Sequence, residues 1–250
     1  YPLVWMAISG FKTNSELYGD AWGLPGEWRW GNYVQAWEYG VIHYLFNSVI
    51  VTLGSIALVV LVSSWVAFAL VRVKIPLAQP VLLFIMGGLM LSETVALVPL
   101  FRIMRGVGLY NSLLGIIVLY VAFRIPFTTI LIRSYMIDLP SELSDSAVVD
   151  GCSQWQQYWR ITMPLCKPIL VSAAVLQALF SWNEFVFALV FIKDDVIKTM
   201  PVGLMTLMSK LTTNWPVVFA GLTISALPMI IAFLIGQRQF VRGITEGIGK

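Results

Sequence analysis

Between Glu38 and Arg72 the chain carries no Asp, Glu, Lys or Arg. Crossing the hydrocarbon core of a bilayer takes about 20 predominantly apolar residues in a helix. Residues 47–71 therefore predict one long membrane-crossing helix. Four more apolar runs follow. Residues 79–104 are broken only by Glu93 and Arg102. Residues 112–135 are broken by Arg124 and end near Arg133. Residues 168–192 are broken by Glu184, and residues 215–237 carry no charge. Five full spans are expected.

The composition agrees. Charged residues make up 12% of the 250-residue chain, about half the ~25% usual for soluble proteins. So few charges cannot coat a water-facing surface of this size, so the surface must face lipid. A soluble enzyme and a nucleic-acid binder are excluded. The net charge of +3 is spread without a cluster, which implies no acidic partner. Cys152 and Cys166 are too few for a disulfide framework and lack zinc spacing.

Residues 1–11 form an apolar stub, too short to span and without the basic region of a signal peptide. They are expected to be the outer half of a first helix whose beginning lies upstream, with a cytoplasmic tail before it. Six spans result. Lys and Arg in the loops barely orient them. One side would hold Arg72, Lys74, Arg133, Arg160, Lys167, Arg238, Arg242 and Lys250. The other would hold Lys12, Arg29, Arg102, Arg105, Lys193, Lys198 and Lys210.

Trp22, Trp28, Trp30 and Trp37 crowd the segment after the stub. Tryptophan favours the membrane–water interface, so a loop along the outer face is expected; a sugar-stacking surface is the other reading. His43 is the sole histidine, which leaves a metal or proton-relay role without a second ligand.

Residues 136–167 are a polar interruption that still looks structured. Pro140 and Ser141 suit a helix start, with Glu142 and Asp145 in the first turns. Gly151 suits a stop. Ser153 and Gln156 have capping-box spacing for a second short helix. Trp155, Tyr158, Trp159 and Ile161 supply its apolar side, and Pro164 is expected to end it. Two readings stand: a piece that docks into a groove on a partner, or an amphipathic helix resting on lipid.

At these residues the chain resembles the permease subunits of bacterial ABC importers. Their signature runs Glu-Ala-Ala, three residues, Gly, and further on Ile-x-Leu-Pro. Here Asp145 stands for Glu, Ser146 for the first Ala and Ala147 for the second. Asp150 and Gly151 match Asp-Gly, and Cys152 replaces the usual Ala. Ile161, Met163 and Pro164 match the closing motif, with Met for Leu. The likeness narrows to the carbohydrate-uptake branch, of the maltose-type second permease. Phe11-Lys12-Thr13, Asn47-Ser48, Trp182-Asn183-Glu184-Phe185, Pro201-Val202-Gly203-Leu204 and Phe240-Val241-Arg242-Gly243 are similar to that branch in order and spacing.

This resemblance implies an all-α type I importer permease fold. It implies one transmembrane domain over residues 1–250, six helices in the native chain, and a cytoplasmic coupling loop at 136–167. Asp145, Ser146, Ala147, Asp150, Gly151, Ile161 and Pro164 become the ATPase-coupling residues. It implies a second permease as heterodimer partner, two cytoplasmic ATPase subunits that bind ATP and Mg, an extracytoplasmic solute-binding protein and a sugar substrate. The location implied is the bacterial inner membrane, with both termini cytoplasmic.

Charges at membrane depth cost about 2.5–3.5 kcal/mol each on insertion scales, and three require a reason. Glu93 and Arg124 are expected near the middles of consecutive helices at similar depth. An ion pair that locks two helices is geometrically open. Glu184 then lacks a partner in the chain. With Asn183 it offers directional hydrogen bonds to a sugar or to the second permease, while Trp182 is expected to pack. Asn183, Glu184, Trp182, Glu93 and Arg124 are the substrate-path candidates. Pro126 and Pro228 are expected to kink their helices, and Gly87-Gly88 to allow close packing.

No phosphate-binding loop exists, since the terminal Gly-Ile-Gly-Lys lacks the spacing. Nor does a lone histidine build a catalytic triad. The chain should neither hydrolyse ATP nor catalyse covalent chemistry, and no cofactor or metal is assigned to it. The competing readings are a stand-alone secondary transporter that uses Glu184 as a coupling-ion site, and a purely structural membrane subunit.

Overall fold

The computed structural model describes residues 1–73, 75–211 and 214–248, with side chains except those of 210 and 235–248. Lys74, Lys250 and the side chains of Lys210, Arg238 and residues 240–243, used above for charge and motif, lie outside the described residues.

Among the described residues the regular structure is all helix, with no strand. α1 (Pro2–Ser9) and α2 (Asn14–Gly19) lead to α3 (Gly31–Ala36), a π turn (Trp37–Val41) and α4 (Ile42–Arg72). α5 (Ala78–Gly88) and α6 (Glu93–Gly106) precede α7 (Leu113–Ile137). Then come α8 (Glu142–Val149), α9 (Gln154–Gln157), a π turn (Tyr158–Thr162) and α10 (Met163–Leu165). α11 (Lys167–Asn183), α12 (Val186–Phe191), α13 (Met200–Lys210) and α14 (Trp215–Ile248) complete the chain.

Long apolar helices form at Gly31–Arg72, Leu113–Ile137 and Trp215–Leu234. Along α4, residues Ser48, Thr52, Ser55, Val59, Ser63 and Ala67 turn one buried face inward. Their small side chains let α4 lie closely along α7 and α11. Several of the buried hydroxyls find partners, although Thr52 Oγ1 has none among the described residues. Ser55 pairs with Ser181 (2.7 Å), which accepts from Gln177 (2.9 Å), and Ser64 pairs with Tyr158 (2.7 Å).

Two expected single helices are broken. The run at 79–104 becomes α5 and α6, bent by 101°. Glu93 is the first residue of α6 rather than mid-helix, where the positive end of the helix dipole favours an acid. Gly88 lies against Pro126, whose Cγ would be 2.9 Å from an added Cβ; close packing holds there, whereas Gly87 faces open space. The run at 168–192 breaks after Asn183, and Glu184 is extended (ψ 128°). Pro126 and Pro228 both lie within continuous helices.

The loops collect at two ends. One end holds residues 10–31, 107–112 and 191–200, the last bonded to the start of α4. The other holds the end of α4, the end of α7 and residues 138–167.

Candidate functional site: the 142–165 segment and a cavity at Asn183

The 142–165 segment is built as its spacing predicts, with one exception. α8 ends in a Schellman arrangement: the Cys152 N–H donates to Ala147 O (2.9 Å) and the Gly151 N–H to Val148 O (3.0 Å). Gly151 takes φ +74°, which an L side chain adopts at a cost of about 1–2 kcal/mol. The capping box closes both ways. The Gln156 N–H donates to Ser153 Oγ (3.3 Å), and the Ser153 N–H donates to Gln156 Oε1 (2.8 Å). The exception is Pro164. It sits in the first turn of α10 and the helical run continues to Leu165. The π turn before it accommodates a residue without an N–H: there the Met163 N–H bonds Tyr158 O, five residues back, and the ladder is already displaced. The chain turns instead at Cys166, with a 76° bend into α11.

Tyr158 fixes this segment to the bundle. It is buried, bonds Ser64 on α4, and packs edge-on against Phe68 (5.4 Å between centroids). Trp155 reaches Trp65 of α4 (6.0 Å). Arg72 donates from Nη2 to Met136 O (3.2 Å) and Leu139 O (2.9 Å), tying the end of α4 to the end of α7. Of the coupling candidates, Asp145, Ser146, Asp150, Gly151 and Pro164 are exposed, Ile161 is half-buried and Ala147 is buried. Leu143, Val148, Val149 (87% exposed) and Trp155 also face outward.

The membrane-depth charges are arranged differently from the expectation. Glu93 and Arg124 form no ion pair; those between described residues are Arg29–Glu27 and Lys198–Asp195. The Arg124 guanidinium lies over the rings of Phe180 (4.3 Å) and Phe127 (5.2 Å), a contact that offsets part of its desolvation. Glu184 is 7% exposed and does have a partner in its own chain. Its Oε2 accepts from Tyr120 Oη (2.6 Å) and the Ala188 N–H (3.2 Å), and its Oε1 from the Phe187 N–H (2.7 Å). Both N–H groups open α12 and have no intrahelical acceptor. The helix break and the buried carboxylate therefore explain each other.

Asn183 and Trp182 point elsewhere. With Met6, Pro201, Ser225 and Met229 they line a cavity of about 500 Å³ between α1, α11, α13 and α14. No Asp, Glu, Lys, Arg or His lines it. Trp182 is otherwise buried, as a packing role requires. Asn183 is exposed to the cavity and donates to Leu179 O (2.7 Å), leaving its second N–H and its carbonyl oxygen for other groups. The structure thus parts the candidates into two sets: Asn183 and Trp182 at the cavity, Glu184 in a structural network with Tyr120.

Residues 50–246 match the model of the binding-protein-dependent transport system inner membrane component. The chain belongs to this family. It is 45% identical over 250 residues to the probable ABC transporter permease protein YurM of Bacillus subtilis, covering all of this chain and 83% of that one. It is 32% identical to the sulfoquinovosyl glycerol transport system permease protein SmoH of Agrobacterium fabrum, covering 99% and 87%. In fold it matches a chain of the crystal structure of a bacterial ABC transporter involved in import of the acidic polysaccharide alginate. The TM-score is 0.85 at 22% identity, over 96% of this chain and 90% of that one. The all-α ABC importer permease fold is established by these matches, and the chain is a membrane transport component rather than a catalyst.

Several residues of this permease were not legible as functional. Lys12, counted above as a loop charge, is 1% exposed and donates to Asp20 O and Ala21 O (both 3.0 Å). Asn47 donates to Val196 O (2.8 Å) and Lys198 O (3.0 Å), and Ser48 accepts from the Met200 N–H (2.7 Å). The Asn47-Ser48 pair carried a family likeness but no visible task. Trp22, Trp28 and Trp30 are exposed on the segment between α2 and α3, with Phe11 packed against both Trp28 and Trp30. His43 is exposed beside the start of α4.

Proposed function

We propose that this permease is one half of the pathway of an ATP-driven sugar importer. The observation that carries the reading is the 142–165 segment: rigidly capped, locked to α4 through Tyr158, and still exposing Leu143, Val148, Val149 and Trp155. Uncovered apolar side chains on a fixed element suit a partner groove. Asp145, Ser146, Asp150 and Gly151 lie on the same exposed piece, while Ala147 packs inward to hold it.

In this reading a cytoplasmic ATPase, which holds ATP and Mg, receives the segment. Both termini of the chain are cytoplasmic, a second permease supplies the other half, and a solute-binding protein delivers sugar to the outer loops. The relative named for sulfoquinovosyl glycerol supports a glycoside as cargo. The cavity at Asn183 and Trp182 suits an uncharged sugar, since its wall joins an amide and a hydroxyl to apolar surface. Glu184 is a poor coupling-ion ligand because both of its oxygens already accept hydrogen bonds.

The test is site-specific cross-linking from Asp150→Cys in a chain with Cys152 and Cys166 replaced by Ser, within intact membranes. Capture of an ATPase subunit from the cytoplasmic side is expected. Labelling only from the exterior would overturn both the orientation and the docking role.

A further inference from the structure

Asn111 is the one non-glycine residue with positive φ among the described residues (φ +57°). It sits in the outer turn between α6 and α7. Strained backbone persists where the surroundings over-determine it. Four hydrogen bonds do so here, all to residues 191–194. The Asn111 N–H donates to Phe191 O (2.9 Å). Its Oδ1 accepts from the Lys193 N–H (2.9 Å) and the Asp194 N–H (3.1 Å). Its Nδ2 donates to the Asp194 carboxylate (2.8 Å).

The chain path gives this contact its meaning. α7 runs from Leu113, capped by Ser112, to Ile137 and leads into the coupling segment. α11 leaves that segment at Lys167, breaks at Glu184, and continues through α12 to Phe191. The two arms are joined at the inner end by the coupling segment, midway by the Tyr120–Glu184 hydrogen bond and by Phe187 and Phe191 in one core with Ile116 and Tyr120, and at the outer end by Asn111. Lys193 and Asp194 lie past that core, where the chain leaves α12, and it is Asn111 that bonds them to the turn that opens α7.

We propose that Asn111 is a positioning residue that closes this frame, so that residues 191–194 travel with α7 when the coupling segment is displaced. The proposal rests on the importer reading above. Asn47 also grips the outer segment, at Val196 and Lys198, but from α4, which does not enter the coupling segment.

The experiment uses the full complex in proteoliposomes with its own binding protein. Asn111→Asp keeps the Oδ1 acceptor but sets a second carboxylate against Asp194. Stimulation of ATP hydrolysis by the binding protein should fall about tenfold, the scale of one lost charge-assisted hydrogen bond, with unstimulated hydrolysis unchanged. Combining it with Asp194→Asn exchanges donor and acceptor and should restore stimulation. Asp194→Ala removes the same bond without touching the left-handed residue and covers the case of an Asn111 variant that does not assemble. Native stimulation in every variant would overturn the proposal. A native complex that ignores its binding protein removes the importer reading itself, and the proposal with it. Hydrogen exchange gives a second measure. The Lys193 and Asp194 amides should stay protected both without nucleotide and after trapping with Mg-ATP and vanadate; free exchange in the trapped state would also overturn the proposal.

Discussion

At the end of the bundle proposed to face outward, Lys12, Asn32, Asn47, Ser48 and Asn111 each bond backbone groups of other segments. At the proposed coupling end, α8 buries only Ala147 and leaves Val148 and Val149 uncovered. One end ties its loops together with its own polar side chains, with Trp22, Trp28 and Trp30 exposed beside them; the other keeps a stiff helix whose apolar side chains are uncovered. An element that must receive force from outside needs internal rigidity and an open face. An element that must only hold loops in place needs its polar groups paired within the chain.

The contrast can be broken first at the anchor of the outer half. Glu184→Leu strands the Tyr120 hydroxyl and the Phe187 and Ala188 N–H groups in a buried site. A loss on the order of 3 kcal/mol is expected, read as a lower unfolding temperature in detergent; an unchanged temperature would refute the capping role. Glu184→Gln keeps one acceptor oxygen and should lose less. At the coupling end, Gly151→Val strains a residue at φ +74° and should cost about 1–2 kcal/mol locally. Its main effect should be functional: transport falls while the subunit stays in the membrane, measured as sugar uptake against membrane yield. Asn47→Ala removes two bonds from the outer segment and should cost about 1–2 kcal/mol, visible as faster exchange of the Met200 amide. Val149→Ser is the matching change at the coupling end. It should leave the subunit's stability within about 0.5 kcal/mol while weakening ATPase co-purification.

The smallest effect concerns pH. The Glu16 carboxylate accepts from the Thr13 N–H (2.7 Å) and the Gly26 N–H (3.0 Å). These backbone donors hold its pKa below the ordinary carboxylate value. The stabilisation is therefore full above that ordinary value and is lost as pH falls through the lowered one. Exchange of the Gly26 amide, corrected for intrinsic rate, should rise only in that acid window; a rise already at neutral pH would contradict it.

Much of the coupling segment was readable because its signals are local. Gly151 as a stop and Ser153 with Gln156 as a capping box depend on residues a few positions apart. Pro164 misled because the π turn before it displaces the hydrogen-bond ladder and carries the helical run past the proline to Leu165, which spacing alone does not reveal. Glu93 misled in the same way: apolar composition runs on through 89–92, where the backbone bends. Glu184 looked unpartnered because Tyr120, on another helix, is distant in sequence.

The amino-acid order by itself determined that this is an all-helical membrane chain with a structured polar piece between two spans. Uncharged runs and short-range capping carry that information without any fold. Which long runs break, which buried acid is structural, and that Asn111 joins the two arms were decided only by tertiary contact. A polar side chain at membrane depth takes its role from the donor or acceptor that packing brings to it, and that partner is set by the fold.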